Sequence, residues 1–170
     1  NYKNQPILRK NLLKVEGKYI FNAPLIAVWE HLQSPEAIAR CIPGCDRFEP
    51  TEENQFDVSM NVKVASISGK YSGTVNVSDI SYLETYTMTV KGRGTGGNIK
   101  ATGILNFKAM DNHTEVFVSG EAQVTGLIAR VGQRIMTGAS RMLMNQFFTC
   151  MRSYMEPDTN PLPNDDQEFE

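Results

Sequence analysis

The chain has 170 residues, 41% hydrophobic and 21% charged, with 17 bases against 19 acids. That size and balance fit one soluble domain with a real core, and no run approaches the ~18 apolar residues that span a bilayer. The slight acidic excess, with aromatic residues that alternate toward a core rather than along an open surface, argues against nucleic-acid binding.

Residues 1–11 show no period and read as a frayed lead-in; the chain opens on Asn1, which points to trimming or processing. Over 12–21, Val15, Gly17, Tyr19 and Phe21 alternate with Lys14, Glu16 and Lys18, the pattern of a half-buried strand. Asn22-Ala23-Pro24 opens a short helix whose apolar side is Ile26, Trp29 and Leu32. Ser34-Pro35-Glu36 opens a second, carrying Ile38 and closed by Pro43-Gly44. Alternating runs follow at 56–64, 71–77, 86–94, 99–107 and 116–124, separated by turn signals such as Ser68-Gly69, Gly96-Gly97-Asn98 and Asp111-Asn112. Short turns make neighbouring strands antiparallel, and one face is apolar while the other carries Ser, Thr, Asn and Lys.

The last regular element, 126–153, is the only long helical pattern. Ile128, Val131, Ile135, Ala139, Met142, Leu143 and Cys150 form an apolar stripe at 3.6-residue spacing, with Gln146 in its middle. Arg130, Arg134, Arg141 and Arg152 gather on the opposite side, with Met144, Phe148 and Met151 beside them. Beyond it, 156–170 holds six of the 19 acids and no base, so 1–155 keeps 17 bases against 13 acids, a net of +4. The tail is expected to be flexible. The organisation is a lead-in (1–11), one domain (12–155) and an acidic tail (156–170).

The order strand, two small helices, strands, long helix gives α+β: a curved antiparallel sheet wrapped around a long C-terminal helix. On the inferred inner face Gly73, Gly92, Gly94, Ala101, Gly103, Gly120 and Ala122 supply little volume. They either let a coiled sheet bend or line a cavity, and both readings stand.

Motifs with chemistry are few. Gly92-Arg93-Gly94-Thr95-Gly96-Gly97 matches G-x-G-x-x-G but lies between two strands, without the helix N-terminus that holds a pyrophosphate. Cys41 and Cys45 lack a second ligand pair for zinc, and without a cleavable leader the three cysteines read as reduced thiols of a cytosolic protein. His31 and His113 fall off the inward positions, and the inner face has no Asp or Glu to act as acid or base.

The segments APLIAVWEHLQSPEAIARCIPGCDRFE (23–49), VKVASISGKYSGTVNV (62–77), KGRGTGGNIKATG (91–103) and VTGLIARVGQRI (124–135) stand in collinear order. Together they resemble the CoxG family, which takes its name from carbon monoxide dehydrogenase, within the START-like, or SRPBCC, helix-grip group, over about 12–152. The group resemblance implies a hydrophobic pocket between sheet and helix. The family resemblance implies an accessory protein of molybdenum hydroxylases, connected with membrane attachment and lipophilic quinones. Some members continue into a hydrophobic C-terminal segment. Here the residues after Pro157 are polar, so a stable membrane anchor is not expected.

The expectation is a non-catalytic carrier in the cytoplasm or peripheral on the inner face of the membrane, binding a quinone or lipid and otherwise without a cofactor. Met60, Tyr71, Tyr86, Met88, Gly103 and Phe107 on the strands, with Ile135, Met142 and Gln146 on the helix, are the candidate lining. Arg130, Arg134, Arg141, Met144 and Phe148 are the candidate surface for the molybdenum hydroxylase or an anionic membrane. The alternatives are a START-like enzyme of the cyclase or dehydratase type, or a docking or maturation module without a ligand.

Overall fold

A computed structural model describes residues 12–64 and 67–156. The lead-in and the tail from 157 onward lie outside these residues. Seven strands form one antiparallel sheet: β1 (Leu12–Phe21), β2 (Cys45–Glu52), β3 (Gln55–Val62), β4 (Gly69–Ser81), β5 (Thr85–Gly94), β6 (Gly97–Ala109) and β7 (Thr114–Val124). Their spatial order is β1-β7-β6-β5-β4-β3-β2, so β1 and β2 are the free edges. Two short helices, α1 (Leu25–His31) and α2 (Pro35–Cys41), follow β1. A 3₁₀ segment (Gly126–Val131) leads into α3 (Gln133–Met155).

Alternation sets the faces. In β1, Leu13, Tyr19 and Phe21 are buried while Lys14, Glu16, Lys18 and Ile20 are exposed. α2 begins where Ser34 Oγ accepts from the Ala37 N–H at 3.4 Å, with proline at the first helical position. Trp29 is 5% exposed and makes edge contacts with Tyr86 at 5.6 Å and Phe107 at 4.8 Å, sealing α1 against the sheet. Thr114, fully buried, donates to the Ala23 carbonyl at 2.8 Å and pins the chain between β1 and α1. The far end of α3 is held to the end of β1 by the Glu156 carboxylate, which accepts from the Asn22 N–H.

Three findings differ from the sequence reading. β2 carries a single large apolar residue facing its neighbour, Phe48, and includes Pro50, so it has no period to detect; an edge position tolerates both. The long helical stretch is broken at Gly132, whose φ of +90° ends the 3₁₀ turn and restarts the helix. That break resets the phase. Met136, Ala139, Phe148 and Met151 are the buried residues of α3, while Ile135 and Met142 are 48% and 42% exposed. Phe148 is 3% exposed and stacks at 4.0 Å on the Tyr19 ring, so it cannot serve as the apolar part of a docking surface, and Met144 is half-buried against the same core. Gln146 is exposed rather than central to a buried face, and its amide is open to solvent.

The third difference is covalent. Cys41 at the end of α2 and Cys150 in α3 form a disulfide with Cα atoms 5.3 Å apart, where three thiols were expected. Sequence spacing could not reveal it, because the partners are 109 residues apart. Cys45 stays free, half-buried, and burial pushes its thiol up.

Candidate functional site: a groove between sheet and helix

The inner side of the sheet is filled at its two ends and not in the middle. At one end Tyr19, Phe21, Trp29, Tyr86, Leu105, Phe107 and Val116 pack with Phe148 and Met151. At the other, Leu13, Val62, Ile67, Val124 and Ile128 pack with Met136 and Ala139. α3 spans both clusters. Its chief partners are β1 along its length and α2 near its C-terminal half. Ala139, Leu143 and Phe147 share one helical face at i, i+4 spacing. Ala139 joins one cluster and Phe147 borders the other, while Leu143 stays half-buried between them.

The sheet below that gap is floored by small residues. Register places Val15 opposite Gly120, Gly120 opposite Gly103, and Gly103 opposite Met88. The next row runs Leu13, Ala122, Ala101, Val90 and Val75. Val90, Gly92, Ala101, Gly103 and Gly120 are all half-exposed although they point inward.

The glycines divide into two kinds. A Cβ on Gly73 would collide with the Lys91 carbonyl and one on Gly94 with the Lys70 carbonyl, so both are required by close backbone approach. A Cβ on Gly103 would meet nothing nearer than the Ser119 carbonyl at 4.0 Å, and on Gly92 nothing nearer than Ser72 at 3.7 Å. Bending explains the first pair. Open space lies over the second.

The candidate residues are thus not all in one place. Met88 and Gly103 face each other on the floor, with Tyr86 and Phe107 closing the aromatic end at 2% and 8% exposure. Met60 and Tyr71 border the opposite cluster and also line a separate polar cleft of about 530 Å³ with Lys70, Ser72 and Arg93. Met142 and Gln146 line an open depression of about 750 Å³ on the other side of α3 from its buried face, together with Arg141, Thr149 and Cys150. Ile135 is exposed near the start of α3. Val90, Ala101, Gly120 and Leu143 also belong to the gap. The sequence put Ala101 and Gly120 on the small-residue inner face and Leu143 in the apolar stripe, and strand parity signals Val90.

Chemistry within the gap is sparse. Burial pushes the Tyr86 phenol far above its usual range, and Tyr71 donates to the Ile67 carbonyl at 2.8 Å. Tyr19, raised by burial against a smaller opposing pull from Arg152, donates to Asn145 Oδ1 at 2.7 Å. The one buried carboxylate among the described residues, Glu115, sits at an outward position, and its hydrogen bond from Lys18 at 3.1 Å is the main cause holding it below the usual carboxylate range. His113 approaches the same oxygen at 3.6 Å. Burial first and then the Arg40 charge hold the His31 imidazole below its usual range.

The exposed side of the 3₁₀ segment and α3 is basic and apolar together. Leu127, Ile135 and Met142 are 62%, 48% and 42% exposed, and Arg130, Arg134 and Arg141 are exposed among them. None of these arginines has an ion pair among the described residues.

The architecture recurs in solved structures. A conserved protein from Geobacillus kaustophilus shares 27% identity and a TM-score of 0.82, covering 85% of this chain and 96% of that one. The Zhui aromatase/cyclase from Streptomyces sp. R1128 aligns at 13% identity and 0.66, covering 88% and 97%. A START superfamily protein from Mycobacterium smegmatis aligns at 10% and 0.65, covering 85% and 97%. The last two likenesses show the fold alone. No curated protein matches the sequence. The carbon monoxide dehydrogenase CoxG family matches residues 17–156, α3 and nearly all of the sheet included, and the chain belongs to that family.

Proposed function

We propose that this protein is a non-catalytic carrier that holds a lipophilic molecule, such as a quinone, between α3 and the glycine floor of β5–β7. The observation that carries the reading is the inner face at Gly103 and Gly92, sealed at both ends but open above the backbone. An apolar floor of small residues without a carboxylate suits binding rather than proton transfer. Family membership supports an accessory role beside a carbon monoxide dehydrogenase-like molybdenum hydroxylase. The exposed Leu127, Ile135 and Met142 among Arg130, Arg134 and Arg141 fit peripheral contact with an anionic membrane, the source of such a ligand. On this reading the protein works in the cytoplasm, peripheral to the membrane. Among the described residues no helix is long and apolar enough to cross it.

The likeness to an aromatase/cyclase keeps an enzymatic reading in view. Its candidate groups would be the Tyr71 and Tyr86 hydroxyls, of which the first is already donated to a carbonyl and the second is sealed in the aromatic cluster. Mass spectrometry of organic extracts from the purified protein separates the readings. A carrier yields a stoichiometric prenylated or long-chain molecule. An enzyme yields none, and turns over an added substrate of the cyclase type.

A further inference from the structure

The sheet is open, with β1 and β2 as its two free edges. α3 lies along β1, and α2 packs against β2. The Cys41–Cys150 disulfide joins α2 to α3 and so completes a covalent hoop around the groove, enclosing every strand from β2 to β7. Arg40 over the Tyr154 ring at 4.4 Å is the neighbouring non-covalent tie between the same two helices.

The two sulfurs are unequally accessible. Cys41 is 3% exposed, whereas Cys150 is half-buried and lines the open depression with Gln146, Thr149 and Ser153. An incoming thiolate can therefore reach Cys150 from outside. Disulfides in a reducing compartment are usually transient and redox-sensing, and the carrier reading above places this one in such a compartment.

We propose that the Cys41–Cys150 bond is a redox-addressed clasp that sets how fast the groove exchanges its ligand. The inference rests on the carrier reading for what is exchanged, and on the hoop alone for what moves. The co-reactant is a dithiol reductant. Its thiolate attacks Cys150 Sγ, forming a mixed disulfide and releasing Cys41 as a thiolate that takes up a proton. The reductant's second thiol loses its proton and attacks its own sulfur in the mixed disulfide, releasing Cys150, which is protonated in turn. The chain gains two electrons and two protons, and the reductant leaves as a disulfide. α3 then remains docked on β1 but is no longer tied covalently to α2 at the aromatic end of the groove.

The test uses the full chain, oxidised, reduced with dithiothreitol, and as Cys150→Ser. Alkylation after unfolding should label one cysteine in the oxidised protein; three labels would remove the premise. Hydrogen exchange should then quicken in α2 and α3 by about tenfold more than in β5 and β6 on reduction. Uniform acceleration would mean the bond is a global staple, and no change would mean it constrains nothing; either overturns the clasp. Stopped-flow release of N-phenyl-1-naphthylamine should be about tenfold faster from the reduced protein and from Cys150→Ser than from the oxidised protein. Equal release rates overturn the proposal. Failure of the probe to bind any form defeats the carrier reading instead, and the exchange experiment still decides whether the clasp opens.

Discussion

At the scale of single residues, the helix phase makes the sharpest distinction. Phe148 and Met142 are both large apolar residues of α3, but one is 3% exposed and the other 42%. Phe148→Ala should cost about 3–5 kcal/mol through the cavity it leaves beside Tyr19. Met142→Ala should stay within about 0.5 kcal/mol. Urea melts of the two variants check this, and a reversed ranking would restore the stripe read from sequence. Glu115 gives a pH signature. Its folded pKa is depressed below the ordinary 4.5 by Lys18 first and His113 second, so its stabilising contribution is present above that value and disappears as pH falls through the folded pKa. Glu115→Gln should therefore be less stable than the parent near neutral pH, with the difference closing below 4.5. Paired melts across pH measure it. A gap that widened on acidification would contradict the assignment.

At the scale of elements, the strand pattern was readable because one face of each strand is buried and the other wet, so alternation in β1 and β3–β7 marked which residues face the core. β2 was not readable: an edge strand with Pro50 and one core-facing ring leaves no period. The long helix was legible as a helix but not in its orientation, because a continuous 100° projection from Gly126 ran through a break that only backbone geometry reveals. Two glycines report on that break differently. Gly132 has φ of +90° with open space around it, so Gly132→Ala should cost about 1–3 kcal/mol from backbone strain alone. Gly138 lies in regular helix with nothing within 4 Å, so Gly138→Ala should stabilise by about 0.5–1 kcal/mol. Thermal unfolding of both variants tests the pair. The same sign for the two would mean that α3 is continuous across Gly132.

At the scale of the whole molecule, fold and family followed from element order and from the collinear segments between Ala23 and Ile135, because both are properties of the chain in one dimension. A pocket between sheet and helix was implied by the family resemblance, but which residues line it did not follow. Small residues at Gly73, Gly94, Gly92 and Gly103 look alike in sequence, and only the neighbouring backbone separates those that permit close approach from those that leave room. The disulfide hoop was invisible for a related reason, since it depends on α2 and α3 meeting across the open side of the sheet. The central claim is that the room above Gly103 holds an apolar ligand. Its most direct test is a titration of the oxidised protein with decylubiquinone, read by quenching of Trp29, the only tryptophan and part of the aromatic wall at one end of the groove. The account predicts saturable one-to-one binding, weakened at least about tenfold by Gly103→Leu in a variant shown to be folded, and retained by Gly138→Ala. Absence of saturable binding, or equal affinity in the folded Gly103→Leu variant, would contradict it.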